Sequence, residues 1–127
     1  MLRKGRLADG KGMSMLQDDF IIISVSAFLK RNRSRSWREE ILAMFTTLCR
    51  FLQENNLVTA HLVQEGQQVS DLLEVRRKEF TDEGFEFYRT GVQKWFRATD
   101  RGTPLTDTRI LERELAKLRK ELAAENE

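Results

Sequence analysis

The stretch Thr81–Thr99, TDEGFEFYRTGVQKWFRAT, decides the fold. Thr81 stands where a helix N-cap belongs, and Asp82 and Glu83 follow it in the first turn. There their carboxylates accept orphan backbone donors and complement the positive end of the macrodipole. Phe85, Tyr88, Val92, Trp95 and Phe96 recur at spacings of three and four, which places them on one face of a helix. Glu86, Arg89, Thr90, Gln93, Lys94 and Arg97 take the other side, and Asp100-Arg101-Gly102 with Pro104 closes the helix.

Phe87 does not join that stripe. On a uniform wheel it lies nearer Gly84 and Gly91 than Trp95. A glycine inside a helix costs roughly 1 kcal/mol against alanine, so two of them call for a reason, and close approach of another backbone supplies one. The plainer reading makes Phe87 and the glycines a second buried seam. The functional reading makes Phe87 the anchor for a partner, with Lys94 and Arg97 beside it, because aromatic residues dominate binding hot spots.

Outward from this helix, 127 residues bound a single domain with a core large enough to need no staples. One proline and seven glycines argue against a sandwich of many tight turns. The single cysteine, Cys49, leaves no internal disulfide to form and suits a reducing compartment, so a cytoplasmic location is expected. No run of apolar residues is long enough to span a bilayer. Charge is uneven. Residues 1–35 carry Arg3, Lys4, Arg6, Lys11, Lys30, Arg31, Arg33 and Arg35 against Asp9, Asp18 and Asp19, and the remainder is mildly acidic.

Residues 1–13 read as a disordered basic extension, ahead of a start at Met13 or Met15. Ser14-x-x-Gln17 resembles a capping box and opens an expected helix over Met15–Arg31. The rival for part of it is a strand at Ile21–Ala27, where the residues are β-branched and Ile23–Ala27 alternates. Ser36 and Glu39 form a second capping box, before a helix over Trp37–Asn55. Its stripe of Trp37, Ile41, Met44, Phe45, Leu48, Phe51 and Leu52, widened by Leu42 and Cys49, marks the core helix.

Leu57–Glu65 reads as a short helix ending at Gly66. Leu73, Val75 and Arg77 alternate with charged residues, so a strand runs toward Phe80, with Gln67–Ser70 as its pairing partner. Thr106 caps the last helix, with Leu105 and Ile110 as a hydrophobic staple. Leu111, Leu115, Leu118 and Leu122 then form a heptad seam, packed on the body or on its twin in a homodimer. The expected fold is therefore mainly α: a compact bundle of four to five helices, with room for a short β-hairpin near residues 67–80. The core domain is 14–105, and 106–127 is an amphipathic C-terminal helix.

The motifs of catalysis are absent. There is no Gly-rich phosphate loop, no GxSxG, no HExxH and no CxxC. One histidine, His61, and one cysteine cannot build a zinc site of the usual ligands, so neither a metal nor a cofactor is expected. A Cys49–His61 dyad would need an exposed, electropositive thiolate, and Cys49 lies on an apolar stripe. The acidic pairs Asp18/Asp19 and Asp82/Glu83 each sit at a helix start. The expectation is a non-catalytic protein-binding module, of the immunity, antitoxin or adaptor type.

The alternative is nucleic-acid binding. FTDEG, Phe80–Gly84, resembles the junction in winged-helix regulators where a wing strand runs into an LT-x-x-G helix start. That resemblance implies that Leu57–Glu65 reads bases and that the preceding strand is a wing. Yet Leu57–Glu65 contains neither Lys nor Arg, and direct readout favours such donors. Phosphate contacts would fall to Arg31, Arg33 and Arg35 in the basic link, and to Arg76, Arg77 and Lys78 on the wing.

Overall fold

A computed structural model of the chain describes residues 19–31 and 35–125, with the backbone alone at Arg35 and Ser36. In chain order the elements are β1 (Ile21–Ser24), α1 (Val25–Leu29), α2 (Arg35–Glu54), β2 (Glu74–Arg76), a 3-10 turn (Arg77–Glu79), α3 (Asp82–Phe87), a π-helical segment (Tyr88–Val92), α4 (Gln93–Asp100) and α5 (Arg109–Glu125). The fold is mainly α, as its periodicity implies. The basic extension and the Ser14–Gln17 box lie outside the described residues.

The helix expected through Ile21 is half strand. β1 pairs antiparallel with β2, setting Ile21 opposite Arg76, Ile23 opposite Val75 and Ser24 opposite Glu74, with a bulge between Ile21 and Ile23. Ile23 and Val75 are thereby both buried. Ser24 then ends the strand and caps α1, taking the Ala27 amide on its hydroxyl at 3.4 Å. Three consecutive β-branched residues favour the pleat, and tertiary pairing outweighs local helix propensity. The partner of β2 is thus a strand some 50 residues upstream, not Gln67–Ser70, and no local hairpin forms.

α2 starts at Arg35, one residue ahead of its expected cap. Its apolar stripe is buried from Ile41 onward: Ile41, Met44, Phe45, Leu48, Phe51 and Leu52, with Leu42 and Cys49, while Trp37 at its start is only half-buried. A Schellman motif ends it. Asn56 adopts φ 60°, while the Leu57 amide donates to the Leu52 carbonyl and the Asn56 amide to that of Gln53.

Beyond that point Leu57–Glu65 is not a helix. Val58 makes an antiparallel bridge to Phe80, and the Leu57 carbonyl takes both the amide and the hydroxyl of Thr81. Residues 59–73 form an irregular loop laid along α2. Gln53 clamps it, donating to the Val63 carbonyl at 2.8 Å and accepting the amides of Leu62 and Val63. Arg50 donates to the Gln67 carbonyl, and Thr46 accepts the Val69 amide at 3.0 Å. With these bonds and the burial of Val63 and Val69, the loop satisfies its backbone without helix.

Thr81 caps α3 as expected, accepting the Gly84 amide at 2.9 Å. The π segment then changes the phase of everything before it. On a uniform wheel Phe87 and Trp95 lie about 80° apart; one extra residue in a turn brings them within about 20° of each other. Both are fully buried. The same shift moves Phe85 to the flank, where it meets Phe20 edge-on at 6.0 Å and the Arg77 guanidinium at 4.5 Å. Gly91, inside the π segment, leaves room for the Phe87 ring and for Glu114 of α5. α4 closes on Gly102 at φ 112° with the same pair of reverse bonds that ends α2.

α5 begins at Arg109, so Thr106 is not its cap. Asp107 takes the Arg109 amide at 3.0 Å instead, and the Thr108 hydroxyl donates to Glu112. The Arg109 guanidinium, through its hydrogen bonds, holds the Asp107 carboxyl down at about 2. Trp95 Nε1 donates to the Asp107 carbonyl at 2.9 Å and ties this turn to the core. Leu105 and Ile110, the expected staple pair, both pack against the core cluster. Leu111 and Leu115 are buried in it and Leu118 packs on its edge, so the heptad seam serves the chain's own body. Burial removes Leu111 and Leu115 from any homodimer seam.

Candidate functional site

The sequence-derived partner residues separate. Phe87 is fully buried and stacks on Phe51 with ring centroids 5.8 Å apart, so it is a core residue and not a surface anchor. Lys94 and Arg97 remain at the surface, in a groove of about 450 Å³ between the π segment with α4 and the facing side of α5. Lys94 pairs with Glu114 at 3.0 Å, and that bond holds the Glu114 carboxyl below its usual range. Arg97 is exposed and makes no ion pair among the described residues.

Of the cations expected to contact phosphate, Arg76 and Arg77 are engaged in hydrogen bonds within the chain. Arg76 donates to the Asp19 carbonyl at 3.0 Å. Arg77 donates to the Phe80 carbonyl and to Asp82, at 3.1 and 2.7 Å, with its plane over Phe85. Lys78 stays 66% exposed, 3.9 Å from Asp19. Arg31 lies over the Phe28 ring at 4.9 Å; Arg33 and the Arg35 side chain lie outside the described residues. With no helix at Leu57–Glu65 and no hairpin at 67–80, the winged-helix resemblance has neither its reading helix nor its wing. A five-residue cap signature reports a helix start, not the elements around it.

Cys49 and His61 do not form a dyad. Cys49 is wholly buried, where desolvation pushes its thiol up to about 12, while His61 is exposed on the loop. Among the described residues no group of three or more His, Cys, Asp or Glu could hold a metal ion, and no helix is long and apolar enough to cross a membrane.

The larger concavity was not legible from the sequence. It is a groove of about 770 Å³ between α1, the first half of α2 and the turn after α4. Phe28, Trp37, Met44, Phe96 and Leu105 line it, with Arg31, Glu40 and Asp100 at the rim. The floor is held by ring contacts: Phe28 meets Phe45 at 5.0 Å, and Phe45 meets Phe96 at 6.2 Å. Helical periodicity assigns all these aromatics to a core. It carries no information on how far a side chain is covered by distant elements, and Phe28, Trp37 and Phe96 are only half-buried. A wall of aromatic and methionine side chains with a charged rim suits adaptable apolar contact with another molecule. No family model, curated protein or solved structure matches the chain.

Proposed function

We propose that this chain is a protein-binding module, of the class to which immunity proteins, antitoxins and assembly adaptors belong, working by surface complementarity. A single observation carries the reading: a concavity of about 770 Å³ is walled by half-buried Phe28, Trp37 and Phe96 over Met44. Aromatic and methionine side chains are enriched at interface centres, where a partner's apolar residues complete their burial. The charged groove holding Lys94 and Arg97 lies on α4 and α5 and supplies a polar flank of the kind that sets register more than affinity.

The experiment is site-directed photo-crosslinking in the native cell, with the crosslinker at Thr103 on the groove rim and at exposed Lys120 as control. Adducts from Thr103 alone are expected. The partner so identified, once purified, should bind the Thr103→Trp variant about tenfold or more weakly, because the indole plugs the groove. Unchanged affinity for that variant, or the same adducts from both positions, sinks the reading.

A further inference from the structure

Two grooves border the π segment, and they share a wall. One is the charged groove that holds Lys94 and Arg97. The other, of about 410 Å³, is mainly apolar: Phe20, Ile21 and Ile22, at the start of β1, line it together with Phe85 and Tyr88. Arg89 and Gln93 line both grooves, so the two meet across the π segment as one trough. Gln93 is tied to that segment by its own side chain, which donates to the Tyr88 carbonyl at 3.1 Å. Wide turns of this kind recur at functional sites.

The two ends of the trough differ in chemistry. At the apolar end Phe20 and Ile21 are 45% and 43% exposed, two of the three large apolar side chains that stand exposed among the described residues. They are neighbours lining a single groove, and apolar surface gathered in that way marks a contact where a scattered residue does not.

At the charged end, existing pairs decide what remains to be bound. Glu86 holds Arg89 at 2.7 Å, while Glu114 holds Lys94 at 3.0 Å and Arg113 at 3.5 Å. Arg97, Lys117 and Glu121 are left, all exposed and none in an ion pair among the described residues. An acidic side chain brought to this end finds two uncommitted cations against one acid, and breaks no pair already made.

We propose that the trough seats an extended segment of a partner protein, which lays a bulky apolar side chain against Phe20 and Phe85 and directs Asp or Glu at Arg97 and Lys117. Length fixes the spacing. Phe85 and Arg97 lie on one continuous helical run, about 18 Å apart along its axis at about 1.5 Å per residue. An extended chain covers that distance in about five or six residues. The proposal extends the reading of the charged groove as a polar flank and uses no residue of the aromatic groove, so the two can fail separately.

The test selects random twelve-residue peptides, displayed on phage, against the full chain. Enriched sequences are synthesised and their affinities measured by fluorescence anisotropy. They should carry Phe, Leu, Ile or Trp about five residues from two or more acidic residues. The double variant Arg97→Glu with Lys117→Glu, both exposed positions, should bind them about tenfold or more weakly, and Glu121→Gln about twofold more tightly. Phe20→Ser should cost about tenfold and Phe20→Leu no more than about threefold. Affinity should fall on raising salt from 50 to 500 mM. Thr103→Trp should leave it unchanged, because Thr103 lines only the aromatic groove. Failure to enrich any sequence, enriched peptides without acidic residues, or unchanged affinity for the double variant overturns the proposal. Peptides lost on Thr103→Trp and kept by the double variant belong to the aromatic groove; that result removes the trough and leaves the groove standing.

Discussion

Gly84 and Leu57 touch so closely that a Cβ on the glycine would overlap the leucine carbonyl. That carbonyl also accepts the amide and the hydroxyl of Thr81, at 3.0 and 3.2 Å, so it is held from two sides and has nowhere to go. The contact fixes the rotation of α3 and with it the choice of Phe87 over Phe85 for the core. Intrinsic propensity favours Gly84→Ala by about 1 kcal/mol. Steric overlap with fixed backbone opposes it more strongly, and overpacking of this kind costs about 1–3 kcal/mol net. Urea denaturation should show a loss for Gly84→Ala; a gain would mean that Leu57 yields.

The π segment predicts an unusual tolerance. Removing Thr90, which is exposed, converts the turn to regular α-helix while keeping Phe87 and Trp95 on one side. The deletion should retain the far-ultraviolet helical signal and cooperative unfolding. Inserting one alanine after Thr90 turns α3 a further ~100° against the core and should abolish cooperativity. Equal damage from both changes would show that phase is not what the π turn controls.

Thr46 links α2 to the loop through its hydroxyl, which donates to the Leu42 carbonyl at 2.7 Å and accepts the Val69 amide. Thr46→Val keeps the shape but leaves the buried Val69 amide without an acceptor, at about 1–3 kcal/mol. Thr46→Ser keeps the bond and should lose less. Hydrogen exchange at the Val69 amide distinguishes them: faster in the valine variant, near wild type in the serine variant.

Cys49 gives the pH dependence. Burial raises its thiol from an ordinary 9.0 to about 12. The unfolded chain therefore releases this proton at lower pH than the folded one. The stability it contributes is complete below about 9 and is lost as pH rises through about 12. A denaturation series from pH 8 to 11 should show a downward slope that Cys49→Ala makes shallower; burial raises the Tyr88 hydroxyl as well, so part of the slope stays. At pH 8 the native thiol should resist alkylation that proceeds quickly once the chain is unfolded; rapid labelling of the native protein would place the sulfur near solvent.

The features read correctly from sequence share one property: their causes lie within a turn or two. The stripe of α2, the Thr81 cap, the stop at Gly102 and the seam of Leu111 and Leu115 all follow from spacing and cap chemistry. Those misread depend on residues far along the chain. β1 is a strand because Glu74–Arg76 pairs with it, and Leu57–Glu65 stays irregular because Gln53 and Phe80 take its backbone. The reading of Phe87 and the glycines as a second buried seam holds; only its use as a partner anchor fails, because Gly84 meets Leu57 and turns the ring inward.

Sequence by itself determined that the chain is mainly helical, which faces of α2 and α5 are apolar, and that its one thiol is a core group. Tertiary structure alone decided which aromatic α3 buries, which strand β2 joins, and where an aromatic groove and the trough across the π segment stand open. The physical reason is range. Side-chain periodicity records the direction of a residue from its own helix axis, whereas exposure depends on how close two axes come and on which distant backbone fills the gap between them.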